Sequence, residues 1–332
     1  MTAENGAFSS QMNAAQRIKR IYRTHSKSII PFLIAAILLI AGEFVAQGFA
    51  GAAHVLELLK ISSFLGILVL AQSIVIIAGG EGIDLSVGAI ATISAVMASV
   101  IINGQDKMIW VALPAVIVTG FVLGLFNGIG VALFRVPPLI MTLGMSSVIN
   151  GMVIIYSQGY IFRGSASELL KTIGAKASGG IPNMVFVWAV VIAAALLILN
   201  RTRWGVMLYG VGANELTAEL NGVKTRRVRA LAYAFSGAIS AIAGFFLLGY
   251  IGMAFIDIGS KYVLPCVAAA VIGGVSLAGG AGGYLGAAGG AIVLTVLSGL
   301  LVTIKMGEAG RQVVSGLVLI ILLAVYARQS QR

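Results

Sequence analysis

The sequence predicts an all-α protein that crosses a bilayer about ten times. Three observations carry that prediction. Of the 332 residues, 59% are hydrophobic and only 10% charged, against about 45–50% and about 25% in soluble domains. Mean hydropathy is +1.03. The apolar residues fall into runs of the ~20 residues that a helix needs to span a ~30 Å hydrocarbon core. Forty-three glycines in such a chain point to helices packed backbone to backbone, with breaks between them. A soluble fold is excluded because too few polar side chains exist to cover its surface. One cysteine, Cys266, excludes a disulfide framework and a multi-cysteine metal site. His25 and His54 are far apart and form no H-E-x-x-H pattern. No metal or cofactor is expected.

Taken in order, residues 1–28 form a polar, basic tail with Arg17, Lys19, Arg20, Arg23 and Lys27. The tail is too long, and lacks the small-residue site, to be a cleaved signal peptide. The expected spans are 29–50, 61–80, 85–102, 109–134, 138–157, 182–200, 229–252, 264–279, 284–303 and 309–327. They make one membrane domain, 29–327, that carries a polar loop at 201–228 and ends in a tail at 328–332. With the N-terminus inside, the inner segments hold fourteen Lys/Arg and the outer ones eight, the expected bias. The +11 charge flanks apolar runs and does not interleave with aromatics, so nucleic acid is not the expected partner.

Three segments carry more than span number. Gly79–Gly88 interrupts an apolar stretch with four glycines, Glu81 and Asp84. Asp84 or Ser86 is placed to cap the next helix, and both carboxylates are expected at an interface or in a wetted cavity, given the ~2.5–3.5 kcal/mol cost of a charge at the bilayer centre. The segment reads equally as a plain turn between spans or as part of a transport path. In the 201–228 loop, Asn214 is an N-cap candidate, Glu215 suits a first turn and Asn221-Gly222 is a C-cap signal. Leu216 and Leu220 share one face of the resulting two-turn helix, to dock in a partner's groove or to lie on the membrane or on the chain itself. Ile272–Gly283 has six glycines but no G-x-x-x-x-G-K-[ST], and reads as a tight re-entrant turn with no phosphate to cradle.

The run Gly82-Ile83-Asp84-Leu85-Ser86-Val87-Gly88 resembles the G-I-D-L-S-V-G signature of permease subunits of ribose-type bacterial ABC importers. In the family's order follow Thr142-Leu143-Gly144, Thr202-Arg203-Trp204-Gly205, Gly212-Ala213-Asn214-Glu215, Ala218-Glu219-Leu220-Asn221-Gly222-Val223 and Gly273-Gly274-Val275-Ser276-Leu277-Ala278-Gly279-Gly280. The likeness covers about residues 60–325. Glu81 departs from it, standing where the family commonly has apolar, Ser/Thr or glycine residues, and Asn150 stands where many members carry arginine.

The resemblance implies a type II importer-like permease with discontinuous helices in the bacterial inner membrane, both termini cytoplasmic. It implies a second permease copy or sister permease, two ATPase nucleotide-binding domains and an extracytoplasmic sugar-binding protein. The chain itself would not be an enzyme, since ATP hydrolysis belongs to a partner. Asn214, Glu215, Leu216, Ala218, Leu220, Asn221 and Gly222 match the family's ATPase-coupling helix. Gly82, Ile83, Asp84, Leu85, Ser86 and Gly88 would form the gate that this helix switches. A monosaccharide or polyol is neutral and rich in hydroxyls, so Asn127, Thr142, Ser146, Asn150, Ser236 and Ser240, polar residues inside apolar spans, are the path candidates; bonding between helices is the plainer role for each. The related alternatives are importers of nucleosides or branched-chain amino acids. An ion-coupled transporter would have only Glu43, Glu81 and Asp84 as midplane ligands. An intramembrane enzyme lacks a nucleophile–base pair among His25, His54 and Cys266.

Overall fold

The computed structural model describes residues 14–157, 164–307, 309–314, 316–318 and 320. The tail before Ala14, Arg163, Glu308, the far part of the 309–327 span and the 328–332 tail lie outside the described residues. In chain order the helices are α1 (Ala14–Val45), α2 (Ala52–Ile77), α3 (Val87–Ile102), α4 (Ile109–Ala132), α5 (Pro138–Ser157), α6 (Glu168–Gly174), α7 (Asn183–Arg201), α8 (Arg203–Ala213), α9 (Glu215–Leu220), α10 (Thr225–Ile251), α11 (Val263–Ile272) and α12 (Tyr284–Thr303). A two-residue hairpin, β1 (Ala177–Ser178) and β2 (Ile181–Pro182), separates α6 from α7.

Among the described residues, six helices are long and apolar enough to cross a membrane: α2, α4 with the turn before it, α5, α7, α10 and α12. Three shorter apolar helices, Ile29–Val45, Val87–Ile102 and Ser260–Ile272, fall on the expected spans 29–50, 85–102 and 264–279.

Several boundaries differ from expectation for local reasons. The first span stops at Val45 because Glu43 turns its carboxylate back onto the Gly48 and Ala50 N–H groups, at 2.9 and 2.8 Å. The second begins at Ala52, nine residues earlier than 61. Lys60, read as a loop charge, lies inside α2, paired with Glu57 at 2.8 Å and set over the Tyr250 ring at 5.3 Å. Paired and capped by an aromatic face, that charge is tolerated in a helix. The eighth span ends at Ile272, where Gly273 and the left-handed Gly274 (φ 83) stop it. Helices α6 and α8 were not expected. Each begins on a side-chain cap, Ser167 accepting from Leu170 N–H and Thr202 from Gly205 N–H.

Helices α2 and α10 occupy the centre, and α4, α5 and α7 expose most of their length. The glycines explain how closely they pack. Gly120, Gly124 and Gly128 form a four-residue repeat along α4, and a methyl group on any of them would collide with the α10 backbone at Gly237, Tyr233 or Ala230. Trp188 on α7 donates to the Tyr284 hydroxyl at 2.9 Å, which donates to the Gly66 carbonyl at 2.8 Å, joining α7, α12 and α2.

The connections sort to two ends. Gly104 N–H donates to Ser165, Ala166 N–H to Gly252 and Leu169 N–H to Asp106, so three segments expected outside meet. At the other end Gly80, Arg135, Glu215, Arg226 and Arg229 line one groove. The segments expected inside therefore also share a side.

Candidate functional site

The Gly79–Ser86 break is held from four directions. Asp84 is fully buried. Its Oδ1 accepts from the Ser86 N–H at 2.9 Å and the Ser86 hydroxyl at 2.6 Å, and its Oδ2 accepts from Ser236 on α10 at 2.9 Å. Asn127 on α4 donates to Ser86 Oγ at 2.8 Å. On α5, Thr142 Oγ1 accepts from Leu85 N–H at 3.1 Å, and Ser146 donates to the Leu85 carbonyl at 2.9 Å. With its amide oriented to satisfy both partners, Gln72 on α2 donates to the Asp84 carbonyl at 2.9 Å and accepts the Asp84 N–H at 3.2 Å.

Asp84 was expected at an interface or in a wetted cavity; its side chain is enclosed by protein, with donors around the carboxylate that offset the desolvation cost. Ser86 sits at the N-cap position of α3 but makes no side-chain cap, because its hydroxyl is committed to Asp84. Of the two carboxylates only Glu81 is exposed, at a left-handed backbone position (φ 55).

The polar residues picked from the spans divide into three groups. Asn127, Thr142, Ser146 and Ser236 all grip the break. Asn150, with Ser146, Leu85 and Ser260, lines an open, mostly apolar cavity of about 230 Å³ between α3, α5 and the start of α11, and among the described residues no ionisable side chain contributes to its wall. Ser240 is buried on α10 without a hydrogen-bond partner among the described residues. Gln72 and Ser260 were missed. A lone glutamine in the run Ile67–Ile77 was a usable signal, whereas nothing marked Ser260.

The short helix α9 has the expected ends. Asn214 accepts the Thr217 N–H at 2.9 Å. Beyond Leu220, the left-handed Gly222 (φ 80) sends its N–H to Glu219, and Val223 N–H returns to Ala218, at 2.8 and 3.0 Å. Two ties fix it to α10: Thr225 donates to Glu219 at 2.7 Å, and Arg229 pairs with Glu215 at 2.9 Å. Ala218 faces inward, while Leu216 and Leu220 are 67% and 80% exposed. The helix is therefore not folded apolar face down onto its own chain.

The two glycine-rich segments meet Gly212 beside α9. The Ile77 carbonyl at the end of α2 accepts from Gly280 N–H at 3.0 Å. A Cβ on Gly79 would lie 2.9 Å from the Gly212 Cα, one on Gly279 2.5 Å from the Gly79 Cα, and one on Gly212 would overlap the Ile77 carbonyl. Gly79 (φ 75) and Gly279 (φ 88) also need the left-handed conformation. The α8–α9 corner thus meets the break through backbone contact, with no side chain between.

The family described as branched-chain amino acid transport system / permease component matches residues 54–323. Among curated proteins, the chain is 30% identical over 298 residues to the ribose import permease protein of Haemophilus influenzae, covering 89% of this chain and 91% of that protein. It is 33% identical over 315 residues to the fructose import permease protein of Rhizobium meliloti, with 90% and 85% covered. The autoinducer 2 import system permease protein of Escherichia coli K12 is 30% identical over 302 residues, with 89% and 86% covered. No solved structure matches the chain.

Proposed function

The chain belongs to the branched-chain amino acid transport system / permease component family, and from that membership we propose that it forms the membrane path of an ATP-driven importer for a monosaccharide or polyol. It is a transporter subunit in a multi-pass inner membrane protein complex, and ATP hydrolysis falls to a partner. The observation that carries the sugar assignment is the similarity, over 89% and 90% of this chain, to the ribose and fructose import permeases. The cavity beside the break, with Ser146, Asn150 and Ser260 set among apolar residues and no charged side chain among the described ones, is compatible with a neutral solute.

In this proposal the chain crosses the membrane ten times, the three shorter apolar helices and the 309–327 segment included, with both tails cytoplasmic. A second copy or a sister permease completes the path. An extracytoplasmic binding protein delivers solute to the end where Gly104, Ser165 and Gly252 meet. The ATPase receives the 214–222 helix through Leu216 and Leu220. ATP-driven closure moves that helix, the glycine junction carries the motion to Gly79–Ser86, and the gate switches between two states. Asp84, held by Ser86 and Ser236, keeps the segment in register as it moves.

The test is uptake by proteoliposomes holding the importer purified with its partners. Labelled ribose and fructose should enter with ATP, and labelled leucine should not. Leucine uptake at the expense of both sugars would replace the sugar reading with the amino-acid one.

A further inference from the structure

Arg229 stands where the coupling helix, the broken segment and α10 meet. Its guanidinium pairs with Glu215 at 2.9 Å while its side chain is only 14% exposed. It also covers Gly80, where a Cβ would lie 3.1 Å from both Cζ and Nη2. Its Nε–H is buried and has no acceptor among the described residues. A buried guanidinium N–H without a partner is costly, so its retention points to an acceptor that arrives in another arrangement. The next residue after Gly80 is Glu81, exposed, left-handed and in no ion pair among the described residues. Arg229 thus has a bound carboxylate on α9 and an unbound one on the break.

We propose that Arg229 is a two-position latch that exchanges Glu215 for Glu81 when α9 moves relative to the Gly79–Ser86 segment. The inference rests on the importer reading and adds the positioning residues that link its two moving parts. In the arrangement seen here the Glu215 contact holds α9 to α10. When α9 is drawn away, the guanidinium needs to turn only toward the residue beside the glycine it already covers. Planar, multi-donor arginine suits such an exchange, because it can engage the second acceptor before releasing the first. Gly80 is the hinge surface over which it slides, and any side chain there would block the turn.

The exchange predicts opposite effects from removing its two carboxylates. Spin labels at Leu133 and Thr217, both exposed, report the width of the groove in the importer assembled with its ATPase, and the native thiol is fully buried. Glu215→Gln and Glu81→Gln should shift the nucleotide concentration for half-maximal change in that distance in opposite directions, each about tenfold, within the usual range of coupling between sites. In an Arg229→Gln background neither substitution should shift it. Arg229→Lys, which keeps the charge, should preserve both directions at smaller size and guards against a folding defect in Arg229→Gln. Shifts in the same direction, no effect of Glu81→Gln, or shifts that persist without Arg229 would make the arginine a fixed brace and overturn the latch. A wild-type complex in which nucleotide changes no distance would overturn the importer reading and the latch with it.

Discussion

Removing the Ser236 hydroxyl tests whether the break is held through the charge of Asp84. Ser236→Ala deletes the 2.9 Å bond to Oδ2 and leaves a carboxylate oxygen buried and unpaired, since both bonds from Ser86 go to Oδ1. A lost bond to a buried charged group costs about 1.5–3 kcal/mol. At about 2 °C per kcal/mol for a long chain, the melting temperature should fall by about 3–6 °C. Cys266 supplies the assay, because it is the one thiol of the chain and is fully buried: a thiol-reactive fluorophore reads unfolding directly in detergent. In an Asp84→Asn background the same substitution should cost only the about 0.5–1.5 kcal/mol of a neutral hydrogen bond. A loss of equal size in both backgrounds would show that Ser236 supports α10 packing and not the carboxylate. A melting temperature unchanged by Ser236→Ala would refute the anchoring argument altogether.

Gly212→Ala drives a methyl group into the Ile77 carbonyl, and should lower stability by about 1–3 kcal/mol, again read by thiol exposure. Gln72→Leu removes both partners of the Asp84 backbone and should cost about 1–3 kcal/mol, with Gln72→Glu no better because it cannot donate when ionised. Leu220→Glu places a charge at an 80% exposed site, so stability should change by less than about 0.5 kcal/mol while ATPase recovery in pull-down falls. Glu168 is held below the usual glutamate range by its hydrogen bond and attraction to Lys171, with Lys176 adding to it. Its folded value being depressed, its small stabilising effect is present at neutral pH and fades as pH falls through that range. Wild type and Glu168→Gln should therefore melt apart at pH 7 and converge in acid, the gap shrinking with salt.

Much of this was legible in the sequence because hydropathy and glycine act locally. Runs of apolar length gave the long helices nearly to the residue, as in Tyr284–Thr303 and Asn183–Arg201. Asn214 and Asn221-Gly222 marked both ends of α9 because capping depends on neighbours three or four residues away. Lys60 was misplaced because its tolerance inside α2 comes from Tyr250, 190 residues on, and from the Ala175 carbonyl. The enclosure of Asp84 was hidden for the same reason: one of its donors, Ser236, lies 152 residues away. The meeting of Gly79, Gly212 and Gly279 joins segments remote in sequence, so composition could mark each glycine cluster but not their contact.

In the mechanism proposed above, a separate ATPase drives this chain by gripping the 214–222 helix. The most direct measurement is purification of the tagged full chain from its native membrane, beside Leu220→Glu, with every stoichiometric partner identified. A P-loop ATPase should accompany the wild-type chain and be lost from the variant. A stable oligomer of this chain with no ATPase, in gentle detergent and again after crosslinking, would contradict it.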